Sequence, residues 1–284
     1  MNVDIICPLY NAEKYLYELN KSLMNQSNVN IGEIKYILTK SKDNTEQILK
    51  NISAQYYLVE PEEFSHSLTR EKFAMQSSAN ILVFITQDIE IRNSNWLYEL
   101  IKPIINGDAD ATFSRQLTKY DNIEKYTREK NYPEKSYVVS KDDVKTMGLR
   151  TFFFSDASSA IKTDVFKKLN GYDNKDLPIS EDMYIAYKII NNGYKIKYCS
   201  KSVIYHSHKF SLKQLYKRYY DTGVFMGQND YLDQYNTNKV GGALAIYIFK
   251  RAVEEKNIKV MIEFIPNMIT RFIGMKMGKI YGKK

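Results

Sequence analysis

A chain of 284 residues, 44% hydrophobic and 26% charged with only 12 Gly and 6 Pro, has the composition of a globular protein, which excludes a long disordered tract. It is long enough for one large α/β domain with an appendage, or for two small domains. The formal charge of +8 is unevenly spread: residues 239–284 hold ten Lys or Arg against three Glu, leaving the body nearly neutral. That pattern argues against a nucleic-acid groove across the main domain and for a basic C-terminal element that meets an anionic surface.

The N-terminus runs from Met1 straight into an apolar strand, Val3-Asp4-Ile5-Ile6-Cys7, without the basic region and apolar core of a secretion signal. No run reaches the roughly 18 apolar residues needed to span a bilayer. The expected location is therefore the cytoplasm. Cys7 and Cys199 each end a predicted strand, make no metal-type spacing, and are expected to be buried and reduced.

Strand and helix then alternate. Pro8-Leu9-Tyr10-Asn11 leads into a helix with Leu16, Leu19 and Leu23 on one face and Asn11 as its N-cap. Ile34–Leu38 forms a second strand, and Asp43-Asn44-Thr45-Glu46 reads as a capping box that opens a helix through Ile48, Leu49 and Ile52. Gln55–Val59 is a third strand, Ser67–Ala79 a helix and Ile81–Ile85 a fourth strand. Trp96, Leu97, Leu100 and Ile104 mark a further helix that ends near Pro103. This alternation predicts an open, mostly parallel sheet flanked by helices.

The fourth strand continues as Thr86-Gln87-Asp88, so an apolar run that reads as buried on both faces stops at a carboxylate. Ligands bind such sheets at the carboxyl ends of the strands. A hard carboxylate there suits Mg²⁺ or Mn²⁺ held against a diphosphate. A lone Asp more often just caps a turn, so the neighbours of Asp88 decide its meaning.

Residues 116–150 are rich in charge and Tyr with weak periodicity, and read as an irregular, partly helical excursion. A short helix from Thr163 to Leu169 is stopped by Gly171, and Ser180 caps a helix carrying Ile185, Ile189 and Ile190. Glu181-Asp182 opens that helix, whose free N–H groups favour an ionised carboxylate able to take a proton from a hydroxyl. Two strands are expected next, Lys195–Cys199 and Ser202–Tyr205. They are followed by Tyr205-His206-Ser207-His208, where an imidazole could complete a metal site with Asp88. The third histidine, His66, falls at a strand-to-helix joint. Ser211 with Gln214 starts another helix.

Across almost all of residues 1–228 the sequence resembles the family 2 inverting glycosyltransferases of the GT-A fold. The anchors are Pro-Leu-Tyr-Asn at 8–11, Ser41-Lys42-Asp43-Asn44-Thr45, Thr86-Gln87-Asp88 and Ser180-Glu181-Asp182. Glu63-Phe64-Ser65-His66-Ser67-Leu68-Thr69-Arg70, Thr151-Phe152-Phe153-Phe154-Ser155 and the stretch Tyr205 to Gln214 resemble its rhamnosyltransferase branch.

The resemblance implies dTDP-L-rhamnose as donor and a cell-surface polysaccharide or lipid-linked oligosaccharide as acceptor. In this reading residues 1–115 bind the nucleotide sugar, 116–210 face the acceptor, and 211–284 form a helical, basic, membrane-associating extension at the inner face of the cell membrane. It also implies that Pro8, Tyr10 and Asn11 line the nucleoside pocket, with Thr39, Arg70 and Gln87 near the nucleotide. Asp88 would ligate Mg²⁺ or Mn²⁺ together with His206 or His208, and Asp182, beside Glu181, would act as base. Leu38 and Thr39 stand where relatives carry Asp, Thr86 replaces the first carboxylate of the metal motif, and Asp156 stands where rhamnosyltransferases often carry Asn. A UDP-hexose donor is one alternative. A catalytically silent glycan- or membrane-binding scaffold is the other.

At the C-terminus, Gly241–Phe249 is apolar, and Ile258, Met261, Ile262, Ile265, Met268, Ile269, Phe272 and Ile273 recur at helical spacing, with Pro266 expected to kink or divide the helix. Arg271, Lys276, Lys279, Lys283 and Lys284 follow without an acidic residue. The stretch reads either as a core-packed helix with a solvated basic tail or as an interfacial anchor on anionic lipid.

Overall fold

The computed structural model describes residues 1–235 and 237–284, among which nine strands form one sheet. They are β1 (Asn2–Leu9), β2 (Asn30–Thr39), β3 (Tyr56–Val59), β4 (Ile81–Ile85), β5 (Ile89–Glu90), β6 (Ala111–Leu117), β7 (Tyr137–Val139), β8 (Ser158–Lys162) and β9 (Ile196–His206). The helices before the C-terminal segment are α1 (Glu13–Met24), α2 (Thr45–Asn51), α3 (His66–Met75), α4 (Trp96–Ile105), α5 (Ile123–Asn131), α6 (Val144–Met147), α7 (Thr163–Lys168) and α8 (Glu181–Asn191). After them come α9 (Leu212–Gln228), α10 (Thr237–Glu254) and α11 (Ile258–Gly282).

The strand order is β3-β2-β1-β4-β8-β6-β9-β5, with β7 also paired to β9. The first four strands are mutually parallel, β8 runs against both β4 and β6, and β6 is parallel to β9. This is the expected mostly parallel sheet with helices packed against it. Every residue of β4 is buried: Ile81, Val83 and Ile85 enter one apolar layer with α1 and α4, while Leu82 and Phe84 enter the layer on the opposite face. Alternate side chains of a strand point to opposite faces, so an unbroken apolar run is what a doubly covered strand requires.

Several local expectations are corrected. The N-cap of α1 is Ala12, while Asn11 adopts a left-handed conformation at φ 47°. The capping box at residues 43–46 does not form at the Asn44 cap of α2. Asp43 instead accepts from Thr45 N and Thr45 Oγ1 and from Glu13 N, and Thr45 Oγ1 in turn accepts from Ala12 N. The motif therefore staples the turn after β1 to the turn after β2. The third helix begins at His66, capped by Ser65, and ends at Met75. The two strands expected over 195–205 are one, because the irregularity between Cys199 and Val203 is absorbed as a register shift against β6. There Ser202 Oγ shares a buried hydroxyl cluster with Ser114 Oγ (2.8 Å) and donates to Trp96 O (3.0 Å). Cys7 and Cys199 are free and buried but lie within strands rather than at their ends.

The C-terminal segment is helical, and Pro266 lies on the exposed side of a continuous α11 rather than dividing it. α9 and α11 run side by side and touch backbone to backbone at their glycines. A Cβ built on Gly278 would strike Tyr220 O, one on Gly223 would strike Met275 O, and one on Gly274 would lie 2.8 Å from Tyr216 O. Among the described residues no helix is long and apolar enough to cross a membrane.

Candidate active site

The turns at the carboxyl ends of β1 and β4 meet through one side chain. Tyr10 N donates to Gln87 Oε1 (2.7 Å) and Gln87 Nε2 donates to Tyr10 O (2.8 Å). The Gln87 amide thus behaves as an extra rung of sheet and holds the Tyr10 backbone, leaving the Tyr10 ring 53% exposed beside Asn11 and Pro8. Thr39, at the end of β2, is buried, and its Oγ1 has no hydrogen-bond partner in the protein.

Three residues past β4, Asp88 meets His206, the last residue of β9, and His208 just beyond it. Asp88 Oδ2 lies 3.4 Å from His206 Nε2 and 3.9 Å from His208 Nδ1, and His208 Nε2 lies 2.8 Å from His206 Nε2. One donor atom from each of the three falls within 4.8 Å of the others. Ligands about 2.1 Å from an octahedral ion stand about 3 Å apart, so the three donor atoms would have to draw in from up to 4.8 Å to close on such an ion.

The tautomer of His206 is set from behind. Arg128 Nη1 donates to Gln116 Oε1, so that oxygen can only accept, and His206 Nδ1–H donates to it at 3.0 Å. Gln116 Nε2 donates to Ser155 Oγ (2.8 Å), completing the amide's partners. His206 Nε2 is left with its lone pair toward Asp88 and His208, which is the arrangement a metal-ligating imidazole needs.

Burial pushes both imidazole pKa values down, His208 to about 3, which favours their neutral forms. Burial would raise the Asp88 pKa, but the hydrogen bond and charge that His206 and His208 offer when protonated outweigh that and hold its carboxyl well below the usual range. The donor set of one ionised carboxylate and two neutral imidazoles fits a divalent cation.

Asp182 has the opposite surroundings. It stands at the start of α8, after Ser180, a non-glycine residue in the left-handed region at φ 63°. A strained residue in that position is a recurring mark of a functional turn. Asp182 reaches a cleft of about 220 Å³ that is also lined by His206, His208, Ser155, Arg218 and Arg271. Burial, then the charges of Glu181 and Asp156, raise its pKa well above the ordinary value, while Met183 N–H and Arg218 act against them. The helix terminus is therefore outweighed, and the expectation of a stably ionised Asp182 is corrected: here the carboxyl has a high affinity for a proton.

Glu181 is buried and paired with Arg70, with Nη1–Oε1 at 3.4 Å. Arg70 is 2% exposed and also donates to His66 O (2.8 Å), so the structure places it beneath the site rather than on its open surface. His66, whose pKa burial lowers to about 4, packs against Phe64 and adds no ligand to the triad. Asp156 accepts from Ser159 Oγ (2.7 Å) and Tyr172 OH (2.8 Å).

Reading the sequence brought together Asp88, His206, His208 and Asp182 but missed Gln116, Arg128, Arg218 and Arg271. Gln116 lies in the stretch read as irregular, although Phe113 to Leu117 belong to β6. Arg271, counted with the basic tail, is buried at 6% exposure: it donates to Tyr219 OH (2.7 Å) and pairs with Glu124 Oε1 (2.9 Å).

The sequence profile of glycosyl transferase family 2 matches residues 4–169, and the chain belongs to that family. The O-antigen chain rhamnosyltransferase WbaN of Salmonella anatum is 30% identical over 287 residues, covering 97% of this chain and 88% of that protein. The O-antigen chain rhamnosyltransferase RfbN of Salmonella typhimurium is 30% identical over 293 residues, covering 98% and 90%. In fold, the chain is similar to the mannosyltransferase PcManGT of Pyrobaculum calidifontis, solved with GDP-Man and Mn²⁺. The TM-score is 0.67 at 14% identity, covering 99% of this chain and 88% of that one.

Proposed function

We propose that the chain is a metal-dependent inverting rhamnosyltransferase that moves L-rhamnose from dTDP-L-rhamnose to a cell-surface polysaccharide or lipid-linked oligosaccharide at the inner face of the cell membrane. The similarity to two O-antigen chain rhamnosyltransferases over nearly their whole length supports the sugar and the acceptor class. One observation carries the mechanism: a single cleft holds a carboxyl with a high proton affinity, Asp182, and the two histidines joined to an ionised Asp88.

Residues 1–115 take the donor in this reading. Tyr10 offers its ring to the base, and the buried Thr39 hydroxyl is free to bond to it. Asp88, His206 and His208 would hold the cation, and their mixed oxygen and nitrogen donors favour Mn²⁺ over Mg²⁺, which prefers oxygen and water. Once bound, that ion supplies positive charge to the departing diphosphate. Asp182 accepts the proton of the acceptor hydroxyl as it attacks the anomeric carbon from the face opposite the leaving group, and configuration inverts. The Arg70–Glu181 pair fixes the start of α8 and so aims Asp182. The acceptor lies over residues 116–210, with residues 211–284 walling the cleft through Tyr219 and Arg271 and carrying the membrane contact.

Leu38 and Thr39, in place of acidic residues at the end of β2, favour one second reading, a UDP-hexose donor. Nucleoside diphosphate release measured across dTDP-L-rhamnose, UDP-hexoses and GDP-mannose, with Mn²⁺, Mg²⁺ or chelator, separates the two. Release from dTDP-L-rhamnose alone is expected. Release only from a UDP-sugar would replace the donor, and release from none would favour a silent scaffold.

A further inference from the structure

The C-terminal helices turn an apolar face outward. On α11, Ile258, Ile262, Ile265, Ile269, Phe272 and Ile280 recur at helical spacing, each at least 49% exposed. On α10, Ile246 is 72% exposed and Phe249 is 50% exposed. Single exposed apolar residues are ordinary, whereas a continuous stripe of this length marks a contact surface. α11 cannot rotate the stripe inward, because Gly274, Gly278 and Gly282 on its other side lie against the α9 backbone.

Charge selects the occupant. Lys276 lies in line with the stripe and no acidic residue follows Glu263. At the other end Lys250, Lys256 and Lys259 stand with Glu254, Glu255 and Glu263, Lys250 being paired with Glu254. The basic excess of the segment, ten Lys or Arg against three Glu over residues 239–284, is therefore weighted to the far half of α11. A parallel second copy would set the basic halves of α11 against each other. Anionic lipid matches both the stripe and its basic half. With no membrane-crossing helix among the described residues, the pair is suited to lie in the plane of the surface.

We propose that the α10–α11 face seats the enzyme on an anionic lipid bilayer. This deepens the membrane-associated reading above by naming the surface that makes the contact. Arg271, on the inner side of α11, lines the cleft of Asp182. Seat and cleft are therefore separated by one helix, about 10 Å across, and the surface delivers acceptors held at its plane.

The test is co-sedimentation of the full chain with phosphatidylcholine vesicles, with and without phosphatidylglycerol. The comparison uses an Ile265→Glu/Ile269→Glu variant and a Lys276→Gln/Lys284→Gln variant, with circular dichroism and donor hydrolysis as checks on folding. The wild type is expected on the phosphatidylglycerol vesicles. The glutamate pair should lose at least about tenfold in partitioning, and the glutamine pair roughly fivefold per lysine. Equal sedimentation of all three proteins overturns the seat. A wild-type dimer in ultracentrifugation that the glutamate pair dissociates, without vesicle binding, assigns the face to a second copy instead. Absent nucleoside diphosphate release from every donor would count against the transferase reading and leave vesicle binding to be judged alone.

Discussion

Two aspartates flank His206 and His208 in opposite environments. Asp88 faces the imidazoles of His206 and His208, the former backed by Gln116, and their attraction when protonated holds its carboxyl ionised. Asp182 is enclosed with Glu181 and Asp156 and is pushed toward the protonated form. The residue type is the same, so the difference comes from the neighbours, and the roles proposed above rest on it: an acceptor-only carboxylate for a cation, and a carboxyl of raised proton affinity for the acceptor hydroxyl.

The largest effect that could break this contrast is at Asp182. Asp182→Asn is expected to lower transfer by about 10² to 10⁴-fold while donor affinity by calorimetry stays close to wild type. Unchanged turnover would remove the base. At the other pole, Asp88→Ala or chelation should cost about 10² to 10³-fold in transfer and abolish cation-dependent donor binding. Full activity in chelator would leave the triad without a metal role.

Gln116→Leu tests the relay behind His206 and should weaken Mn²⁺ binding by roughly 10 to 100-fold, read by titration with the metal alone. The smallest expected effect sharpens the Asp182 side. A base with a raised pKa is protonated as pH falls through that value, so the acid limb of the rate profile should lie above the ordinary carboxylate range. Asp156→Asn removes one neighbouring negative charge and should move that limb to lower pH. A limb that stays in place would show that burial and Glu181 alone set the basicity.

What could be read from the sequence follows from what is local. Ile81–Ile85 declared itself because a strand covered on both faces has no polar position, and Asp88 was conspicuous as its first carboxylate. The histidines were visible by their rarity. The polar break Ser200-Lys201 reads as a turn, yet β9 runs through it because the buried Ser202 hydroxyl beside it donates to Trp96 O and bonds with Ser114 Oγ. No sequence pattern announces such partners. The protonation of Asp182 was misjudged for the same reason: its helix terminus is local, whereas Asp156 reaches it only through the fold. Arg271 was counted by its charge, and only packing reveals that Glu124 and Tyr219 claim it.

The bare glycine contact between α9 and α11 has a mechanical meaning. Side chains between two helices act as a compliant layer, and here that layer is missing along Gly274, Gly278 and Gly282. Backbone resting on backbone leaves no room for one helix to slide without carrying the other. α9 brings Leu215, Arg218 and Tyr219 to the cleft, and α11 brings Arg271. The pair is therefore expected to move as one unit, so that a displacement of the outer edge of α11 would be passed to the residues that α9 and α11 bring to the Asp182 cleft.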